Sequence, residues 1–217
     1  MKVFGTDYDG VIINIEPQKS KVFGELLNRE WGINRETAEK FWIKTGGFSR
    51  RYKFDYFYNK QFGEKLSDDA YSKIEYEFSN LLRKELYPNI KILPYALDLL
   101  KFARSHFDYL FISSGIPMEE LKYLVELNGL SKYFDLILGT NKKYLSKNDH
   151  FNQIIRSQKP DLLIFVADSP EDMKIARQAN AIPIGIPTNH TAAELLTAGA
   201  KYVCEIKDLV NMINKLL

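Results

Sequence analysis

Several features that would point to particular protein classes are missing or scarce in this sequence. The 217 residues include a single cysteine, Cys204, so no disulfide can form within the chain. No apolar run approaches the ~20 residues that a membrane-spanning helix needs. The formal net charge is only +2, which gives no electrostatic basis for binding nucleic acid or a membrane surface. We therefore expect neither nucleic acid nor a membrane as a partner.

The start of the chain lacks the apolar core of a secretion signal, because Gly5, Thr6 and Asp7 interrupt its first apolar residues. We therefore expect a cytoplasmic protein. What is present is a hydrophobic share of 45% and an aromatic share of 13%, which are values of a folded globular chain. The length suits one large domain, or one core with a small partner domain.

Two aspartates near the start of the chain form the first candidate site. Apolar Val3 and Phe4 lead to Asp7 and Asp9, and Gly10 follows, which predicts a strand ending in a turn. In open α/β sheets, ligands bind at the carboxyl ends of strands. Two carboxylates this close can bind a divalent cation, and one can attack while the other transfers protons. The alternative is a surface turn with two solvated acids.

The chain changes character along its length. Residues 17–87 predict helices only, over 17–31, 35–44, 52–62 and 68–86. From Pro94 onward, predicted helices over 95–105, 117–128, 149–157 and 170–180 alternate with apolar strands at 109–112, 136–138, 162–166, 182–186 and 202–203. This alternation predicts an α/β fold, a Rossmann-like parallel sheet with helices on both faces. We assign residues 1–16 and 88–217 to this core domain and 17–87 to a small all-helical cap inserted after the first strand.

Polar residues follow other predicted strands at the same edge of the sheet. Ser113 follows the strand at 109–112, Asp168 follows the strand at 162–166 with Asp172 one helical turn later, and Lys147 precedes the helix at 149–157. Carboxylates, a hydroxyl and a fixed cation are the groups that phosphoryl transfer uses. A cluster of aspartates also suits Mg²⁺, which prefers oxygen ligands.

These motifs, in this order, resemble the haloacid dehalogenase-like hydrolase superfamily, in the phosphatase and phosphoglucomutase branch with a helical cap. The motifs are Asp7-Tyr8-Asp9-Gly10-Val11, Phe111-Ile112-Ser113, Lys147 downstream of Phe134-Asp135, and Ala167-Asp168-Ser169-Pro170-Glu171-Asp172. Asn14-Ile15-Glu16-Pro17 is similar to the Asp-Ser-Glu-Pro that follows the first motif in many members. This chain departs from the family pattern at Asn14, Asn148, Ala167 and Asn180, and none of these changes removes a catalytic group.

The resemblance implies a Mg²⁺-dependent phosphatase that hydrolyses a small phosphomonoester, such as phosphoglycolate, a sugar phosphate or a nucleotide. Asp7 would attack phosphorus and form an aspartyl-phosphate, and Asp9 would protonate the leaving oxygen and then activate water. Lys147 would neutralise charge. The implied contacts to the phosphoryl oxygens are Ser113, Ser114 and Gly115. The implied metal ligands are Asp7, the Asp9 carbonyl and Asp168, with Asp172 ordering the bound waters.

The segment from Gly46 to Lys53 is the candidate specificity element of the cap. It joins two glycines to the cations Arg50, Arg51 and Lys53, so it could close over the site and contact a second polar end of the substrate. The alternative is a solvated basic start of a helix.

Other functions remain open from the sequence. A phosphomutase of the β-phosphoglucomutase type would use the same groups. A phospho-accepting receiver domain or a non-catalytic binding protein would share parts of the fold. The sequence leaves the substrate open, and either a monomer or a homodimer is compatible with it.

Overall fold

A computed structural model describes the whole chain, residues 1–217. The strands are β1 (Lys2–Thr6), β2 (Tyr109–Pro117), β3 (Leu136–Thr140), β4 (Leu162–Ala167), β5 (Ile182–Gly185) and β6 (Tyr202–Val203). The helices are α1 (Glu16–Trp31), α2 (Arg35–Lys44), α3 (Arg50–Phe62), α4 (Asp68–Glu85), α5 (Ala96–His106), α6 (Met118–Leu127), α7 (Lys147–Gln158), α8 (Pro170–Gln178), α9 (Ala192–Ala198) and α10 (Leu209–Asn214). No helix is both long and apolar enough to cross a membrane.

The six strands form one parallel sheet in the order β3-β2-β1-β4-β5-β6, which confirms the predicted fold class. Thr6 at the end of β1 pairs with Ile112 of β2 and with Val166 of β4. Asp7, the next residue, therefore lies at the carboxyl edge in the middle of the sheet. This edge is where parallel α/β sheets bind ligands.

Apolar residues cover both faces of the sheet. On one face, Leu99 of α5, Leu121 of α6 and Leu209 of α10 belong to a cluster that includes Phe4 of β1. On the other face, a second cluster joins Phe111 and Phe165 of the sheet to helices α7, α8 and α9. The strands are hydrophobic on both sides because each side is covered by helices.

Four helices, α1 to α4, lie in the chain between β1 and β2, where the sequence predicted only helices. Their interior is aromatic: Phe23 of α1 packs against Trp42, Phe54 and Phe78 with ring centroids 4.8, 5.2 and 6.0 Å apart. The two segments that join these helices to the sheet run side by side. Ile13 and Ile92 form an antiparallel bridge, and the Leu93 N–H donates to the Ile12 carbonyl at 2.8 Å.

Some element boundaries differ from the predicted ones. Strand β2 runs on to Pro117, although Ser113, Ser114 and Gly115 suggested a loop, because the backbone resumes pairing with β3 at Pro117 and Thr140 after a register shift. Helix α7 starts at Lys147 and not at Asp149. The Asp149 carboxylate accepts the backbone N–H of Ser146 at 3.0 Å, so the first turn begins earlier.

Candidate active site

Asp7 is held between the end of β1 and a lysine from α7. Its backbone N–H donates to the Val166 carbonyl at 2.9 Å. One carboxylate oxygen, Oδ1, accepts the Tyr8 N–H at 2.7 Å, and Oδ2 accepts from the Lys147 ammonium at 2.7 Å. Burial raises the pKa of Asp7 well above its usual range, against the opposing attraction of Lys147. The structure thus brings together the predicted nucleophile and the predicted fixed cation.

Lys147 lies in the first turn of α7 and joins two carboxylates. Its Nζ also donates to Asp172 at 2.8 Å, and the side chain is almost fully buried. Burial alone would lower the pKa of Lys147, but the carboxylates of Asp172 and Asp7 raise it above its ordinary value. The ammonium is therefore favoured in its charged form, and it offsets the negative charge of Asp7.

Asp172 is the second carboxylate that binds Lys147, and it does not line the cavity described below. Its carboxylate accepts the Ser169 hydroxyl at 2.7 Å, and Ser169 is the N-cap of α8. Asp172 is fully buried. This geometry makes Asp172 a positioning residue for Lys147, while its predicted part in ordering waters around a metal stays a prediction.

Asp9 contacts a lysine that the sequence analysis did not single out. The Asp9 carboxylate pairs with the Lys19 ammonium, which also lies 3.3 Å from the Glu16 carboxylate. Glu16 accepts the indole N–H of Trp42 at 2.7 Å. Burial raises the pKa of Asp9 to about 6, and Lys19 acts against this rise. The available signal was the spacing of Glu16 and Lys19, one helical turn apart behind the first motif.

Asp168 reaches the turn that follows Asp7 because Gly10 has no side chain. Gly10 has a φ of 77°, and a Cβ there would lie 2.1 Å from the Asp168 carboxylate carbon, so other residues would collide with it. Asp168 accepts from the Asn189 amide at 2.6 Å, and its backbone carbonyl contacts the His190 ring at 3.1 Å. Burial raises the pKa of the Asp168 carboxyl to about 8. A buried carboxylate without a cationic partner is the type of group that a bound cation would stabilise.

Ser113 does not line the cavity, although the resemblance implied a contact to the phosphoryl group. Its hydroxyl is fully buried and lies 2.9 Å from His150 Nδ1, while His150 Nε2 lies 3.0 Å from the Gly139 carbonyl. Since Nε2 must donate to that carbonyl, Nδ1 accepts and Ser113 donates. Side chains alternate along a strand, and β2 continues past Ser113, so the next residue, Ser114, faces the cavity instead.

Arg50 is buried in a network that connects helices α3 and α4 to α6. Its guanidinium donates to Glu75 at 3.0 Å and Ser79 at 2.9 Å, both on α4, and to both carboxylate oxygens of Glu120 on α6. The Tyr87 hydroxyl donates to Glu120 as well. Burial acts to raise the pKa of Glu120, but Arg50 lowers it to about 2. Arg50 lines the cavity, yet its charge is already matched by carboxylates.

Arg51 and Lys53 lie in different surroundings, although the sequence grouped them. Arg51 pairs with Asp55 at 2.8 Å and Asp68 at 2.7 Å and does not line the cavity. On a helix, neighbouring residues point in different directions, so Arg51 faces away from the site. The geometry therefore gives no support to the predicted substrate contact of Arg51. Lys53 is buried and lines the cavity.

These side chains surround a cavity of about 50 Å³ between the sheet edge and the helices that follow β1. The sheet edge contributes acidic, basic and small polar residues, namely Asp7, Asp9, Ser114, Gly115, Lys147 and Asp168. The segments following β1 contribute Glu16, Lys19, Trp42, Ile43, Gly46, Gly47, Phe48, Arg50 and Lys53. Ile116, Asn189 and His190 complete the wall. Glu16, Lys19, Trp42, Asn189 and His190 were not predicted as site residues.

The residues present fit a magnesium ion that keeps water ligands. No group of three or more His, Cys, Asp or Glu side chains is arranged as a metal site. Two carboxylates, Asp7 and Asp168, nevertheless lie on either side of the Asp9–Gly10 turn, and the Asp9 carbonyl accepts no backbone hydrogen bond. Mg²⁺ is usually held by one or two carboxylates together with waters and substrate oxygens. The donor set is therefore sufficient without a third side chain.

A buried Asp–Lys pair beside a second aspartate, at the carboxyl edge of a parallel sheet, is compatible with the class of enzymes that use an aspartate as nucleophile. The family comparison agrees with this class. The model of the haloacid dehalogenase-like hydrolases matches residues 6–186, and the chain belongs to this family. A comparison with curated protein sequences gave no match.

Solved structures share the fold over nearly the entire chain. A predicted phosphatase from Clostridium acetobutylicum is 21% identical, with a TM-score of 0.81 and coverage of 99% of this chain and 98% of that one. A predicted phosphoglycolate phosphatase from Haemophilus somnus is 15% identical, with a TM-score of 0.77 and coverage of 98% of each chain. A proposed β-phosphoglucomutase from Thermotoga maritima is 18% identical, with a TM-score of 0.67 and full coverage of both chains. At these identities the likeness establishes the fold.

Proposed function

We propose that this protein is a Mg²⁺-dependent phosphatase that hydrolyses a small phosphomonoester through an aspartyl-phosphate on Asp7. The observation that carries the proposal is the buried pair of Asp7 and Lys147 next to Asp9 in one small cavity. Lys147 offsets charge on Asp7, and Asp9 is placed two residues away to exchange protons. The hydrolase family to which the chain belongs supports this proposal, and the similar structures include a predicted phosphatase.

In the first step, a carboxylate oxygen of Asp7 attacks phosphorus and the bond from phosphorus to the leaving oxygen breaks. Asp9 donates its proton to that oxygen, so the product leaves as a neutral alcohol. The Tyr8 N–H and the Lys147 ammonium orient the Asp7 carboxylate for the attack. Ser114, and not Ser113, lines the cavity and is placed to donate a hydrogen bond to a phosphoryl oxygen.

In the second step, Asp9 accepts a proton from water as the water oxygen attacks phosphorus. The bond from phosphorus to Asp7 breaks, inorganic phosphate leaves, and Asp7 is regenerated. Because burial raises the pKa of Asp9 to about 6, it can both give and take a proton near neutral pH.

Asp7, the Asp9 carbonyl and Asp168 are the residues that would hold Mg²⁺. When bound, the cation neutralises charge on the transferring phosphoryl group. The cation would then give the Asp168 carboxylate a partner of opposite charge, which would offset the free-energy cost of its burial. Asn189 holds one Asp168 oxygen in place at 2.6 Å and leaves the other for the metal.

The test is a panel of small phosphomonoesters with Mg²⁺, read by released phosphate, with wild type and Asp7→Asn in parallel. We expect release by wild type and a loss of about a thousandfold or more in kcat for Asp7→Asn, since the amide is a poor nucleophile. Circular dichroism checks that the variant is folded. Near-normal turnover by Asp7→Asn would exclude the mechanism. Conversion of a sugar phosphate to its isomer without phosphate release would instead identify a phosphomutase.

A further inference from the structure

The cations around the cavity differ in whether a carboxylate neutralises them. Lys147 pairs with Asp7 and Asp172, and Lys19 pairs with Asp9 and Glu16. Arg50 is matched by Glu75 and Glu120, as described above. Each of these three cations is held by two carboxylates, so its charge is already matched within the protein.

Lys53 is the exception among the cavity cations. Its side chain is 3% exposed, and no carboxylate lies within 4.0 Å of its ammonium. The Nζ donates to the Trp42 carbonyl at 3.2 Å and lies 3.8 Å from the centre of the Trp42 ring. A carbonyl and an aromatic face stabilise a cation only in part, and burial of a charge without a counterion is unfavourable. A buried lysine in a wall of the cavity thus has no carboxylate in direct contact.

We propose that Lys53 binds a second anionic group of the substrate, at the end remote from the phosphoryl group that Asp7 attacks. This inference rests on the proposed phosphatase function and names its substrate class. The substrate is a small phosphomonoester whose other end carries a carboxylate or a second phosphoryl group. Trp42 contacts Lys53 through its carbonyl and its ring, and Trp42 is fixed in turn by its indole hydrogen bond to Glu16.

The size and the rigidity of the surroundings agree with a short substrate. The cavity that Lys53 shares with Asp7 has a volume of about 50 Å³, so a substrate that contacts both residues would be short. Gly47, with a φ of 83°, packs so closely on the core that a Cβ there would lie 2.5 Å from the Ser169 hydroxyl. The loop that leads to Lys53 therefore packs tightly against Ser169 at the carboxyl edge of the sheet.

The experiment compares matched three-carbon substrates in the presence of Mg²⁺. The substrates are 3-(phosphonooxy)propanoate, propane-1,3-diyl bisphosphate and the neutral propyl phosphate. We expect wild type to prefer at least one of the doubly anionic substrates over propyl phosphate by about ten- to a hundredfold in kcat/KM, the effect of a charge-assisted contact. Which of the two is preferred distinguishes a carboxylate from a second phosphoryl group.

The variant that tests the residue is Lys53→Met, with Lys60→Met on the exposed side of the same helix as the matched control. We expect the preference ratio to fall to about one in Lys53→Met and to persist in Lys60→Met. Lys53→Arg, which retains the charge, should keep part of the preference. A retained ratio in Lys53→Met, or equal rates on all three substrates in wild type, would overturn the inference.

Failure of the inference can be told apart from failure of the proposed function. If no phosphomonoester releases phosphate, the proposed function is wrong. If phosphate is released from all substrates without preference for a second anion, only the inference is wrong. Thermal unfolding of Lys53→Met supplies a second check. We expect its melting temperature to be at least that of wild type, because the variant removes a buried charge without a carboxylate partner, and a lower value would show that Lys53 has a structural role.

Discussion

Lys19 neutralises the buried carboxylate of Asp9 and the partly buried carboxylate of Glu16, so its loss should be costly for the fold. Both carboxylates would lose this cationic partner if Lys19 were replaced by methionine. Removing one partner of a buried charged pair typically costs about 3–5 kcal/mol. We expect that loss in Lys19→Met, measured by urea unfolding, with little change in the control Lys21→Met on the exposed side of α1. An unfolding free energy equal to wild type would show that the pair is not stabilising.

The same variant should shift the acid–base behaviour of Asp9. Lys19 opposes the rise in pKa that burial causes at Asp9, so its removal raises the pKa of Asp9 above about 6. If Asp9 must be ionised in the second step, the pH at which activity rises should move upward in Lys19→Met. A pH profile of kcat provides the measurement.

Lys53 makes a second pH-dependent prediction, this time for stability. Burial lowers its pKa to about 8 from 10.5, with Lys19 and Arg50 adding to the effect and Glu16 and Asp9 opposing it. Between these pH values the unfolded chain binds a proton that the folded chain has lost, so the stability of the folded state increases with pH. Relative to Lys53→Met, the unfolding free energy of wild type should rise by about 3 kcal/mol from pH 8 to 10.5. A constant difference between the two proteins would contradict the lowered pKa.

At the scale of residues, the sequence predicted the groups that belong to motifs but not their neighbours. Asp7, Asp9 and Asp168 follow strand ends, which mark the carboxyl edge of the sheet, and Lys147 precedes a predicted helix. The pairing of Lys19 with Asp9 depends on how the chain turns after β1, which periodicity does not reveal. The resemblance matches the second motif at Ser113, just after the predicted strand at 109–112, and one residue of strand length decides which side chain faces the cavity.

Helices α3 and α6 are joined by one buried ion pair, Arg50–Glu120. A double-mutant cycle can measure the coupling free energy between these two side chains. Arg50→Met leaves Glu120 buried without its cation, and Glu120→Gln leaves Arg50 with Glu75 alone. We expect Arg50→Met to lose about 3–5 kcal/mol and the double variant to lose clearly less than the sum of the single variants. Additive losses would mean that the two side chains are not coupled, and that α3 is held on the sheet domain by packing alone.

At the scale of elements, the predicted helices and strands were mostly found, and the errors fall at boundaries. Helix α2 has the predicted bounds, Arg35–Lys44, since Asn34 caps its start through the Thr37 N–H. Helix α3 begins at Arg50, earlier than predicted, because Ser49 accepts the Tyr52 N–H. Capping residues such as Ser49 and Ser146 were visible in the sequence, but their partners depend on the backbone conformation ahead of the helix.

For the whole molecule, Mg²⁺ should act on stability as well as on activity. Several buried carboxylates share one cavity, and a cation that binds only the folded chain stabilises it by mass action. At a concentration of 100 times its Kd, Mg²⁺ should add about 2.7 kcal/mol to the unfolding free energy. A chelator should remove both this increment and phosphate release, and added Mg²⁺ should restore them. Full activity in excess chelator would rule out a metal at this site.

The class of the whole fold followed from the alternation of helices and apolar strands. The order of the strands could not be predicted from this alternation, because β1 pairs with β2 and β4, which lie more than a hundred residues away in the chain. The division into a core domain and a cap at 17–87 stays a prediction, and one apolar cluster contains residues from both segments.

The bridge between Ile13 and Ile92 has a consequence for the order of folding. Roughly 100 residues separate Gly5 from its partner Phe111 along the chain. Once the helices after β1 have brought residues 13 and 92 together, the loop that must close to pair Gly5 with Phe111 has only roughly 25 residues. The shorter loop lowers the free-energy cost of closure by about 1 kcal/mol. Helices with local contacts also form faster than parallel strand pairs. Both tryptophans, Trp31 and Trp42, lie in these helices. During refolding, tryptophan fluorescence should therefore reach its native value before the amides of β1 become protected from exchange.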